Sequence, residues 1–157
     1  MKKIKILYVA TIIMAVMYII GYLTTFVVLS RASANNVYTG KDLVFGSYNM
    51  YISDAQSLLI FIGLIVSILS LKSIIKEGYF SINAKKLMSI AGYIFFFSGV
   101  LMTVLDIIRV QSGGDPNIMM GIILMDFMFA LLGFIVLIIA DMAQTGYQLK
   151  SENDLTI

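Results

Sequence analysis

Three ionisable residues, Asp106, Arg109 and Asp126, stand in or at the edge of long apolar runs, where charge is least tolerated. Asp126 falls inside the run 118–140. At about 1.5 Å per helical residue it lies roughly 12 Å below the outer boundary of that run. An Asp at the centre of a membrane-spanning helix costs about 2.5–3.5 kcal/mol, so it must face other helices and not lipid. There it needs a hydrogen-bond donor or must be neutral, because a carboxylate is poorly solvated in such surroundings. Two readings are open. One is a proton-coupled switch or part of a polar path. The other is a carboxyl held by Ser98, Thr103, Thr24 or Tyr22, which stand at comparable depth in other runs.

Asp106 and Arg109 are three positions apart, so they share one face of a helix and can pair. Arg109 can also reach inward, its stem in the apolar layer and its guanidinium bridging Asp106 and Asp126. These three residues form the candidate intramembrane polar cluster, with a plain boundary salt bridge as the alternative. Other chemistry is scarce. With no Cys and no His, thiol nucleophiles, His-based triads and thiolate or imidazole metal sites are excluded. Only Asp, Glu, Lys, Ser, Thr and Tyr remain, in no paired-carboxylate or Ser-Lys arrangement. The expectation is a protein that is not an enzyme and carries no cofactor and no metal. Met119, Met120, Met125 and Met128, among 11 Met, read better as adaptable core filling than as a thioether copper site.

The elements that position these residues follow from composition. The 157 residues are 60% hydrophobic and 13% charged, with a mean hydropathy of +0.96; a soluble domain is nearer half apolar and a quarter charged. A bilayer core about 30 Å thick takes about 20 apolar residues per helix. Four runs meet that need, at about 6–29, 55–71, 87–108 and 118–140. The chain reads as one all-α domain, an integral membrane four-helix bundle with an outer loop 31–53, a cytoplasmic loop 72–86 and a cytoplasmic tail 141–157. Asp115-Pro116 marks the start of the fourth helix. Gly78 can end the second helix, Gly146 an extension of the fourth, and Ser81 or Asn83 can cap the third.

Orientation follows from Lys and Arg near the helix ends. Lys2, Lys3, Lys5, Lys72, Lys76, Lys85, Lys86 and Lys150 fall on one side, and Arg31, Lys41 and Arg109 on the other. Both termini are expected in the cytoplasm. A cleaved signal peptide is the competing reading of the N-terminus, with Ala32-Ser33-Ala34 as its cleavage site, but the 6–29 run exceeds the usual apolar core of roughly 7–15 residues. The formal charge of +2 is too small for direct nucleic-acid binding.

Two surfaces could meet partners. The outer loop holds Tyr38, Phe45, Tyr48 and Tyr51, which serve either as anchors in the headgroup layer or as a lid or binding surface over the bundle. The cytoplasmic side offers Lys76, Gly78 and Phe80 in the loop and Leu149, Glu152, Asp154, Leu155 and Ile157 in the tail. Its lysines suit anionic headgroups, and the alternating residues from Asp154 to Ile157 could pair as an extended segment or fray. Small residues at Gly63 and Ser67, Gly21 and Thr25, and Gly92 and Gly99 allow close helix approach and leave a homo-oligomer open.

The run Lys76-Glu77-Gly78-Tyr79-Phe80-Ser81, then Asn83-Ala84 and Lys86-Leu87, together with Gly146, Leu149, Glu152, Asn153 and Asp154 to Ile157, resembles the bacterial membrane-protein family called domain of unknown function 2975. The resemblance spans all four helices in layout, but its specificity lies in those two stretches. The family has no established activity and supplies no catalytic residues. Its members are often encoded beside small helix-turn-helix regulators of the Cro/CI type, which implies a membrane partner that holds or controls a transcription regulator. Two further classes stay open: an oligomeric transporter or proton-coupled membrane protein built on the acidic cluster, and an immunity or stress-response protein that binds a toxic peptide through the 31–53 loop.

Overall fold

A computed structural model describes residues 2–34, 50–79, 81–111 and 116–154, and four helices account for nearly all of these described residues. They are α1 (Lys2–Ala34), α2 (Met50–Glu77), α3 (Ile82–Gln111) and α4 (Pro116–Asp154). Each is long and apolar enough to cross a membrane. All four outrun the apolar segments that announce them. Hydropathy senses the thickness of lipid, whereas the helix continues until something stops it. The expected tail 141–157 shows this most clearly, because α4 runs through Gly146 to Asp154. Met142, Ala143, Gln144, Gln148, Leu149 and Glu152 favour helix, and one glycine in a chain already helical on both sides does not end it. The expected loop 72–86 likewise shrinks to the few residues between Glu77 and Ile82.

That short connection is closed by its own side chains. Gly78 adopts φ 95°, a left-handed conformation that glycine enters without steric cost, and its N–H donates to the Ile74 carbonyl at 3.0 Å. Ser81 then caps α3: its hydroxyl accepts from the Ala84 N–H at 3.3 Å and donates to the Glu77 carboxylate. Asn83 donates to the same carboxylate at 3.3 Å. One buried hydroxyl deeper, Ser70 donates to the Ala84 carbonyl at 3.0 Å. Polar groups at this bend are therefore satisfied within it.

Each helix runs antiparallel to the next. Ile4 and Tyr8 of α1 pack with Leu71 and Ile74 of α2 and Ala84 of α3. Further along, Ala15 and Tyr18 meet Ile60, Leu64, Ala91 and Phe95. The start of α1, the α2–α3 turn and the end of α4 consequently share one end of the bundle. Among the described residues, close backbone approach joins only α1 to α2, α2 to α3 and α3 to α4.

The tightest of these seams is α3 against α4. A Cβ on Gly99 would stand 2.6 Å from the Asp126 carbonyl oxygen and against the Ala130 nitrogen; one on Gly133 would stand 2.6 Å from the Gly92 carbonyl oxygen and against the Phe96 nitrogen. Such contacts exist only because these positions carry no side chain. Gly92 also accepts the Leu137 side chain, and Gly63 of α2 receives the Phe95 ring. The expected small-residue contacts thus hold for Gly63, Gly92 and Gly99, while a Cβ added on Gly21 would meet nothing within 4 Å. Gly133 is the partner that spacing within single helices did not reveal. The methionine expectation fails in large part. Met119 is buried, but Met120, Met125 and Met128 project from the bundle into the surface that lipid covers.

Two outcomes follow for thermal unfolding in detergent. Gly99→Leu and Gly133→Leu should each lower stability by on the order of 3 kcal/mol, since backbone must move to admit the new atoms, whereas Gly21→Ala should leave it nearly unchanged. Gly78→Ala should cost about 1 kcal/mol through its left-handed φ, without loss of helical content.

Candidate functional site

Side chains on a helix lean toward its N-terminus. In an antiparallel pair, residues from facing helices therefore lean toward one another when each stands slightly beyond its partner's level. Gly99 lies beside the backbone of Asp126 and Ala130, so Asp106, two turns further along α3, leans back toward Asp126, while Asp126 leans forward toward Asp106. Their carboxyls meet across the α3–α4 seam. Asp106 is 1% exposed and Asp126 4%. From α2, Gln56 reaches the same place and donates its side-chain N–H to Asp126 Oδ1. Three helices thus converge on one buried polar site.

Hydrogen bonding there is incomplete. Neither oxygen of Asp106 has a partner, nor does Asp126 Oδ2. Ser98, on the same buried stripe of α3 as Met102 and Asp106, is also buried with its hydroxyl unpartnered. Arg109 is half-buried, and its charge acts on Asp106 through space without a hydrogen bond to either carboxyl oxygen. Asp106 and Asp126 are therefore brought together, and the Arg109 guanidinium donates to neither oxygen of Asp106. None of the hydroxyl donors considered for Asp126 serves it. Thr103 donates to the Gly99 carbonyl of its own helix at 2.8 Å, Thr24 to the Gly21 carbonyl at 2.8 Å, and Tyr22 to Asp54 at 3.5 Å. Gln56 was the missed partner. Its signal was a lone amide at the outer edge of the second apolar run.

A second assembly occupies the end that carries the α2–α3 turn. Ser81, Ile82 and Lys85 of the turn and α3 face Gln144, Tyr147 and Gln148 of α4 across a groove of about 170 Å³. Lys76, Leu149 and Glu152, at the same end of the bundle, are exposed. Gly78 belongs to the turn itself, where its backbone does the work described above. Asp154 is the last residue of α4; Phe80, Leu155 and Ile157 lie outside the described residues. So do Tyr38, Phe45 and Tyr48 of the outer loop, while Tyr51 falls in the first turn of α2. Among the described residues no group of three or more Asp or Glu could hold a metal ion.

Substituting Tyr147→Ala should open the groove and leave the Asp106–Asp126 site untouched. Thermal stability in detergent should fall by no more than about 1 kcal/mol for so exposed a side chain, a loss far below that of the seam glycines.

No curated protein and no solved structure matches the chain. A family model does match, over residues 32–157, described as a protein of unknown function, DUF2975. That span takes in most of the chain, from the end of α1 through α4, and includes both the acidic site and the groove. The chain belongs to the DUF2975 family of small multi-pass membrane proteins.

Proposed function

We propose that this protein is a non-enzymatic, membrane-embedded regulatory partner that engages a small helix-turn-helix transcription regulator through its groove end, with both termini in the cytoplasm of a bacterial cell. The observation that carries this reading is the meeting of two stretches far apart in sequence, the α2–α3 turn and the end of α4, around one groove. These are the stretches on which the family resemblance rests. α4 has 39 residues, about 58 Å at helical rise, against a hydrocarbon layer of about 30 Å. Its last turns therefore stand clear of lipid. Exposed Ile82, Tyr147 and Leu149 give that end apolar anchors, and Lys72, Lys76, Lys85 and Lys86 place positive charge beside the headgroups, as a cytoplasmic face requires.

A regulator bound there needs no catalytic apparatus on the membrane partner. Helix movement alone suffices to expose or cover the groove. An ion- or proton-coupled transport reading draws support from the buried acids. Among the described residues close backbone approach links each helix only to its sequence neighbours, however, so one copy encloses little polar volume, and transport would need an oligomer.

The test pairs this protein with a tagged Cro/CI-type helix-turn-helix regulator of the kind encoded beside genes of this family, read by that regulator's promoter reporter and by membrane fractionation. Paired Lys85→Glu and Tyr147→Glu substitutions should release the regulator from the membrane fraction and change promoter output several-fold at normal levels of the membrane protein. Unchanged fractionation and output would contradict the reading.

A further inference from the structure

We propose that Asp106 and Asp126 form a binding site for one proton within the membrane-spanning part of the protein, shared between their carboxyls and held in place by Gln56. The argument begins with the hydrogen-bond inventory. An ionised carboxyl only accepts; a protonated one also donates. Two ionised carboxyls facing each other would leave three buried oxygens without a donor, which are the three that have none: both of Asp106 and Oδ2 of Asp126. One proton removes a charge and satisfies two of these three oxygens, leaving only the carbonyl oxygen of a neutral Asp106 acid without a donor. Asp126 Oδ1 already accepts from Gln56, so the proton sits on Asp106 and is donated toward Asp126 Oδ2.

Packing holds the acids together. Gly99 lies against the Asp126 carbonyl, which sets α3 and α4 at close approach beside the acids, and both side chains are turned from water, at 1% and 4% exposure. Like charges at this distance and burial cannot both persist. Every packed element contributes a known neighbour. α3 brings Asp106 itself and Arg109, whose single charge offsets at most one carboxylate. α4 brings Asp126, and α2 brings Gln56, an amide without charge. Asp54 of α2 is turned to the α1 seam, where it accepts from Tyr22.

The same geometry argues against a metal ion. Two carboxyls and one amide supply too few oxygens for calcium, which takes 6–8, and the Gln56 amide is used as a donor. Ser98, also buried and unpartnered, extends the polar interior along α3 toward the groove end. The proton site is thus the outer portion of a polar stripe and independent of whether the groove binds a regulator.

Infrared spectroscopy of the full chain in liposomes at neutral pH reads this directly. Wild type should show a buried carboxylic-acid C=O band that shifts in D₂O. Asp106→Asn and Asp126→Asn should each abolish it, because the new amide N–H replaces the shared proton as donor, and both variants should keep their helicity and thermal midpoint. Absence of the band from wild type, or its survival in both Asn variants, overturns the proposal. Exchange of sodium for choline at constant pH should leave the thermal midpoint unchanged; a midpoint that rises with sodium identifies a sodium site and overturns the proton assignment. Should an Asn variant fail to fold, Gln56→Leu keeps both acids and must retain the band at a shifted frequency. An unmoved band in that variant overturns the site as described.

Discussion

Backbone-to-backbone contact between α3 and α4 is the constraint on which the rest of the structure depends. In lipid, helices gain nothing from hiding apolar side chains, so they associate through close fit and through polar groups. Gly99 against Ala130 and Asp126, and Gly133 against Phe96 and Gly92, supply that fit. The register they set decides which residues meet above and below them. In one direction it brings Asp106 opposite Asp126. In the other it brings the end of α4 beside the start of α3, forming the groove lined by Lys85 and Tyr147.

The remaining helices are held less tightly, and their sequences say why. α2 offers Gly63 to the Phe95 ring and Gln56 to Asp126, one steric and one polar contact with the central pair. α1 presents most of its side chains outward, joined to α2 through Ala15, Tyr18, Ile4 and Tyr8. An apolar exterior of this kind is what a bilayer demands. A buried acid pair at the best-packed seam, and a mostly apolar groove at the end of the same seam, place both candidate sites along the α3–α4 contact. Movement of α3 against α4 would change both together.

Much of this was legible in the chain. Four crossings follow from run length, because lipid thickness fixes how many apolar residues a helix needs. Gly78 and Ser81 announce the α2–α3 turn by residue type, one through its permitted φ and the other through its capping hydroxyl. The isolation of Asp126 in an apolar run required it to face inward, and it was grouped with Asp106 in one candidate cluster, through Arg109 and not through direct contact. What was not legible depends on register between helices. Gln56 and Gly133 are ordinary residues within their own segments and acquire meaning only opposite Asp126 and Phe96. Arg109 seemed able to bridge the acids by reach alone, but reach does not fix direction. The methionines of α4 were misassigned because apolar side chains face lipid and protein equally well, so hydrophobicity gives no sidedness.

The register of α3 on α4 carries the account, and carboxyl-to-carboxyl proximity measures it most directly. Solid-state nuclear magnetic resonance of the bilayer-embedded chain, labelled with ¹³C at aspartate carboxyls, should show a strong ¹³C–¹³C contact between two aspartates that vanishes on replacing either Asp106 or Asp126 by Asn. Absence of such a contact in a folded sample, or its persistence in both variants, would mean that α3 and α4 meet in another register and would contradict the structure of both sites.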